Sequence, residues 1–202
     1  MKKKILWTIV VFWLVCLSMQ AAENRGMASL QLTASASEAA LGDASVAWGS
    51  GLFSLQKNPA LAVELQRSVG FTHAFWFEDV HINHVGVNTF YKNWALAFTM
   101  NVVNYGKLNR YDEYGAAIGE YQPMDLVYQA TIARKILPAV SLGANMKVLY
   151  EKIDVENSVG FAADFGLFYQ SPVRGLDFAA SVRNLGKMNK MRNEDLELPV
   201  AF

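Results

Sequence analysis

The sequence predicts an all-β fold: a transmembrane antiparallel β-barrel wall preceded by a small-residue, helix-forming plug segment. Three observations carry that prediction. From residue 67 onward apolar residues recur at period two, in runs near ten residues long, the length of a tilted strand crossing a bilayer. One face of these runs is bulky and apolar, whereas the other is mostly Gly, Ala, Ser, Thr and Asn. Charged residues make up only 18% of the 202-residue chain against 52% hydrophobic ones, too few to cover a sheet that meets water on one side.

The chain opens with "MKKK" and the apolar run "ILWTIVVFWLVCL", followed by the small-residue stretch "SMQAAE". This is the order of a secretory signal peptide, cleaved near Ala21 or Ala22. The apolar run is too short for the roughly 20 residues that a spanning helix needs. Cys16 lies within it, so the predicted mature chain has no thiol for a disulfide, a nucleophile or a metal site. Lys+Arg and Asp+Glu stand at 18 each; three lysines fall in the leader, leaving 15 basic against 18 acidic residues. That balance gives no electrostatic footprint for nucleic acid. The predicted organisation is a signal peptide over 1–22, a plug over 23–66 and a barrel wall over 67–202.

Within the plug, Ser37 followed by "EAALGDASVAW" reads as an N-capped helix kept slim by Ala39, Ala40, Ala44 and Ala47, and broken by Gly49 and Gly51. Asn58-Pro59 forbids helix at Asn58, and "PALAVEL" can open one further helical turn. Residues 39–62 are expected against the lumen face, with Asn58-Pro59 at the periplasmic end of the first strand and no room for bulk at Ala44 or Ala47. Strands are predicted over 67–77, 82–91, 94–103, 124–134, 139–151, 157–170 and 176–184, with an eighth opening near Leu196. On the sixth, Phe161, Phe165 and Leu167 should point outward, and Gly160, Ala162, Asp164 and Gly166 inward. Long connections after the third and seventh strands contrast with short ones after the second, fourth and sixth, as in outer-membrane barrels, although the first and fifth connections are short as well, so the pattern is partial. Trp76, Phe77, Phe90, Tyr91, Trp94, Tyr128, Tyr150 and Tyr169 are expected in interfacial girdles.

Candidate sites are few. His73, His81 and His84, with Glu78 and Asp79 beside them, suggest a metal, but His81 and His84 are three apart on a strand and point to opposite faces unless the turn bends, so no metal site is assigned. No phosphate loop or Ser-His-Asp spacing appears, and no catalytic or cofactor-binding residue is assigned. Lys147 and Asp164 face the same side from adjacent strands and are expected to form an ion pair. The loop from Tyr105 to Pro123 holds four tyrosines, suited to contact with a protein partner or to folding over the barrel mouth.

The ordered set "GDASVAWGSGLFSLQKNPALA", "DLVYQATIARKILPAVSLGANMKVLYEKI", "AADFGLFYQ", "VRNLG" and a final "LP" resembles the PorV/PorQ group of FadL-like outer-membrane proteins. The matching positions are Asp43, Asn58, Pro59 and Ala60; Asp125, Gly143, Asn145 and Lys147; Asp164, Gly166 and Tyr169; Asn184 and Gly186. The resemblance implies a barrel of about fourteen strands, with Asn58-Pro59-Ala60 ending the plug. It implies a non-enzymatic accessory role in type IX-like protein secretion, with outer-membrane lipid and secretion proteins as partners. The alternative is a FadL-like channel for hydrophobic small molecules. Eight strands cannot complete the family barrel, which leaves a fragment or a true eight-stranded barrel. Pro199, within the last short strand, argues against the second. Asn58, Pro59, Ala60, Asn145, Lys147, Asp164 and Asn184 form the expected structural motif of the lumen.

Overall fold

A computed structural model describes residues 26–202 apart from Ala34, Ser50 and Asn193; the predicted signal peptide lies outside them. The chain is predominantly antiparallel β-sheet. Strands β1 (Ser68–Phe75), β2 (His81–Tyr91), β3 (Trp94–Asn104), β6 (Met124–Leu137), β7 (Val140–Ile153), β8 (Glu156–Gln170) and β9 (Asp177–Met188) form one sheet in that order. β1 and β9 are its outer strands. Between β3 and β6 a separate hairpin, β4 (Leu108–Tyr111) and β5 (Ala117–Tyr121), occupies the tyrosine-bearing loop that the sequence reading left without strands. Its own alternation is too short to stand out. The salt bridge from Arg110 to Asp154 ties it to the β7–β8 turn.

Each strand alternates between two unlike faces because side chains on a pleated strand point to opposite sides. On the outer face Phe161, Phe165 and Met146 are 64%, 55% and 70% exposed, and Phe71, Val87 and Phe98 are exposed beside them. On the inner face the strands align in rows. Towards the short-turn end a first row holds Ala95, Ala133, Gly143, Gly166 and Ser181. The next row is Asn88, Ala97, Thr131, Asn145 and Asp164, and above it lie Gly86, Thr99, Gln129, Lys147 and Ala162. Polar side chains are therefore covered and large apolar ones are bare, the reverse of a water-soluble sheet.

The N-terminal segment covers the inner face. Leu52, Phe53, Leu55, Ala60, Leu61 and Ala62 pack on Ala95, Ala97, Ala133 and Phe168. Full burial of such side chains contributes about 1.5–3 kcal/mol each for the large ones. A second cluster joins Met27, Val127, Leu149, Ala162 and Leu198. In the middle of the first row Ala95, Ala133, Gly143 and Gly166 are small, which leaves the trench in which this segment lies.

Several expectations are corrected. The helix, α1, is only Ala36–Ala40, and its N-cap is Ser35 rather than Ser37: the Ser35 hydroxyl accepts from the Glu38 amide. It stops where Gly42 and Asp43 take the left-handed conformation (φ 60° and 66°). Packing against the inner face holds for residues 52–62 but not for Ala39, Ala40 and Ala44, which are exposed, so Ala44 does have room. Phe90 points inward onto the core rather than joining an outer girdle. No strand forms near Leu196. Among the described residues the chain there makes isolated bridges, Ala201 to Arg183 among them, and Leu198 turns into the second cluster.

Candidate functional site

The inner face of β7 and β8 carries the site, and its geometry follows from register. Gly143 pairs with Gly166, Asn145 with Asp164, and Lys147 with Ala162. The two glycines leave a shallow socket in which Asn58, Pro59 and Ala60 sit. A Cβ on Gly143 would overlap the Pro59 carbonyl and the Ala60 amide, and one on Gly166 would overlap the Asn58 side chain. Asn58 caps the single 3-10 turn Pro59–Val63 by accepting from the Ala60 amide at 3.0 Å. Its amide nitrogen donates outward to the Val46 carbonyl at 3.0 Å and to the Leu167 carbonyl of β8 at 3.1 Å. One asparagine thus satisfies its own turn, the preceding segment and the wall. Asn58-Pro59 lies near the short-turn end as expected, but against β7 and β8, not β1; the entry to β1 is made by residues 64–67.

Directly above the socket, Asp164 is fully buried and accepts three hydrogen bonds. They come from Asn145 Nδ2 at 2.7 Å, from Lys147 Nζ at 2.7 Å and from the Asn184 backbone amide at 2.8 Å. Lys147 Nζ also donates to Asn184 Oδ1 at 2.8 Å. Asn145 receives the Thr131 hydroxyl at 2.7 Å and donates to the Leu55 carbonyl at 2.9 Å. Asn184 donates to the Pro199 carbonyl at 2.9 Å. Through Asp164 and its partners Asn145 and Asn184, four strands, the N-terminal segment and the C-terminal segment are therefore joined in one network. A buried charge is tolerable only when paired and hydrogen-bonded, and both conditions are met here.

Asn184 sits at a bulge, where the register between β8 and β9 shifts across Asp164. Its φ of 61° is left-handed, a conformation asparagine tolerates better than most residues. The bulge aims its backbone amide at the carboxylate while its side chain reaches Lys147. All seven residues of the expected motif are thus brought together. The Lys147–Asp164 ion pair is part of the same network.

Among the other polar groups of the interior, Asp43 and Asp125 are positions of the family resemblance, whereas Glu38 and Glu151 have no role in the sequence reading. Asp125 and Glu151 are register partners on β6 and β7 near the long-loop end. Tyr105 donates to Asp125 at 2.8 Å, and the Met27 amide donates to Glu151 at 3.2 Å. Burial, reinforced by Asp125, pushes the Tyr105 hydroxyl well above its ordinary pKa. Counting parity from Ser141 places Glu151 inward, so that signal was available. Glu38 is fully buried under the N-terminal segment, where burial raises its carboxyl above the ordinary value; the Ser45 hydroxyl lies 3.5 Å away. Burial also acts upward on Asp43, but the bond from Thr33 and the Lys57 ammonium at 3.2 Å outweigh it and hold that carboxyl low.

The histidines divide between faces. His84 points inward, bonded to Asn101 and 5.6 Å from the Phe53 ring, whereas His73 and His81 stack on the outer face with centroids 5.7 Å apart. Among the described residues no group of three or more His, Cys, Asp or Glu side chains is arranged to hold a metal ion. What the central network does chemically is neutralise a lysine with an aspartate and fix the N-terminal segment to the sheet. Compared with known proteins, the sequence matches no family model and has no significant match among curated proteins.

Proposed function

We propose that the chain is the wall and interior plug of an outer-membrane β-barrel that serves protein export as a non-enzymatic accessory component. The observation that carries the membrane reading is the inverted polarity of the sheet. On β7 the outward residues Val140, Leu142, Ala144, Met146, Val148 and Tyr150 form an unbroken apolar line. At ~3.4 Å per residue that line is roughly 34 Å long. Tilted by about 40°, it spans close to the ~25 Å apolar band of outer-membrane barrels. A water-facing surface with this composition would be an aggregation site.

The export reading draws on the family resemblance, and two features favour it over a channel for hydrophobic small molecules. The plug is bonded into the wall through Asn58 and Asn145 and packed on the first inner row. The two inner rows directly above it are largely polar rather than greasy, with Thr99, Gln129 and Lys147 side by side in the second. At the long-loop end, Tyr111 and Tyr114 stand exposed on the β4–β5 hairpin, 59% and 87% accessible, and offer contact area to a protein partner.

The test has two arms. The mature protein is expected to fractionate with outer membranes and resist carbonate extraction; recovery as a soluble periplasmic protein overturns the membrane reading. Deleting the gene is expected to lower the amount of secreted protein while leaving uptake of hydrophobic small molecules unchanged. The opposite pair of results overturns the export role in favour of the channel.

A further inference from the structure

The two ends of the sheet differ in charge. Among the described residues, Arg67, Lys92, Arg134, Lys135 and Arg174 lie around the short turns against Glu64 and Asp177. The opposite end is dominated by acids such as Glu78, Asp79, Asp112, Glu113 and Glu194. Within the basic end one constellation stands out on the outer face. Tyr91 pairs with Trp94 across β2 and β3, and Trp94 pairs with Arg134 across β3 and β6. The Arg134 guanidinium lies over the Trp94 ring at 5.2 Å, and the Lys92 ammonium over the Tyr91 ring at 5.4 Å.

All four side chains are exposed, and among the described residues neither cation has a carboxylate partner. Lys135 differs: it points to the inner face and is paired with Glu64 at 3.3 Å. Lys92 holds a left-handed backbone (φ 53°) in the two-residue turn, which fixes where its side chain leaves the rim. Two unpaired cations thus lie on neighbouring aromatic rings at the lower border of the apolar belt. An aromatic ring there sits at headgroup depth, and a cation beside it meets phosphate.

We propose that Lys92, Arg134, Tyr91 and Trp94 form a binding site for the phosphate headgroup of an anionic phospholipid in the leaflet facing the short turns. The site rests on the membrane reading given above. The guanidinium and ammonium supply charge and donors to the phosphate, and the two rings hold the acyl–glycerol border. Occupancy fixes the vertical position of the wall and orients the acidic, long-loop end away from that leaflet.

The full chain is reconstituted in vesicles of phosphatidylcholine with a minor share of phosphatidylglycerol, and the lipid retained on the extracted protein is counted by native mass spectrometry. The parent is expected to retain phosphatidylglycerol in roughly fivefold excess over its share, the scale of one screened cation–headgroup contact. The variant K92Q/R134Q is expected to bring that ratio close to its bulk value, while K107Q, at the opposite end, leaves it unchanged. An equal ratio in parent and double variant overturns the site. Entry into vesicles without any phosphatidylglycerol preference also overturns the site, with the membrane reading intact. Failure of the parent to enter vesicles overturns both.

Discussion

Gly143 and Gly166 face each other across β7 and β8, and the backbone of Pro59 and Ala60 fills the space where their side chains would stand. The pair is a keyhole cut for one segment. Replacing Gly166 with Val drives a branched side chain into Asn58 and Pro59. The expected loss is about 3 kcal/mol, at the upper end of overpacking effects. It should appear as a lower melting temperature in detergent and as earlier proteolysis ahead of β1. The exposed Ala44 supplies the contrast: Ala44→Trp is expected to stay within about 0.5 kcal/mol of the parent.

The Lys147–Asp164 pair is expected to behave as a coupled unit. Asp164→Asn leaves the Lys147 ammonium buried without its counter-charge, at a cost of about 3–5 kcal/mol. Lys147→Met strands the carboxylate in the same way. The double variant, with no buried charge, should lose clearly less than the sum of the two. Chemical denaturation in detergent across the four proteins measures the coupling, and strict additivity would refute it.

The strands and the identity of their two faces were legible in the sequence because period-two alternation is a local signal. Asp164 could be assigned inward by counting parity from Phe161 and Phe165 alone. That Asn145, Lys147 and Asp164 share a neighbourhood follows from the same counting once β7 and β8 pair as a hairpin. The partner of Asn58 was not legible. The chain reaches β1 only a few residues later, so sequence proximity suggested the first strand, whereas the socket lies more than eighty residues away. The extent of α1 was misread for a different reason. Alanine propensity favours a longer helix, but the Gly42-Asp43 step and the bonds of Asp43 to Thr33 and Lys57 end it early. The β4–β5 hairpin is held by Arg110 and Asp154, a tertiary contact with no local signature.

Asn184 separates backbone strain from hydrogen bonding. Asn184→Gly keeps the left-handed bulge and the amide bond to Asp164 but removes the side-chain bonds to Lys147 and Pro199. Asn184→Ala removes the same bonds and adds the penalty of a Cβ at positive φ. The alanine variant is therefore expected to be less stable than the glycine variant by about 1–2 kcal/mol, measured by denaturation under identical detergent conditions.

Glu38 gives the seating of the N-terminal segment a pH dependence of definite sign. Its folded pKa is raised, so between the ordinary value of 4.5 and the raised value the folded state holds the proton more tightly. Its contribution is full below pH 4.5 and is lost as pH rises through the folded pKa. Asp43, held low, acts in the opposite sense and loses its contribution only as pH falls below its ordinary value of 3.8. Opening of residues 36–46, read as hydrogen exchange relative to the intrinsic base-catalysed rate, should therefore rise as pH climbs from 4.5 through the raised Glu38 value. Glu38→Gln, which cannot ionise, should flatten that rise.

The socket also dictates an order of assembly. Its two walls come from a hairpin made about a hundred residues after the segment it receives: the Asn58 bond to Leu167 closes a loop of 109 residues, and Asn145 to Leu55 one of 90. Such contacts form late, because the closure entropy must be met before they return anything. During synthesis residues 26–63 therefore have nothing to dock on, and the five-residue α1 is too short to persist alone. They must wait, unfolded and poor in charge, until β7 and β8 have zipped together. The sheet is built first, and the segment that precedes it in the chain is the last to find its place.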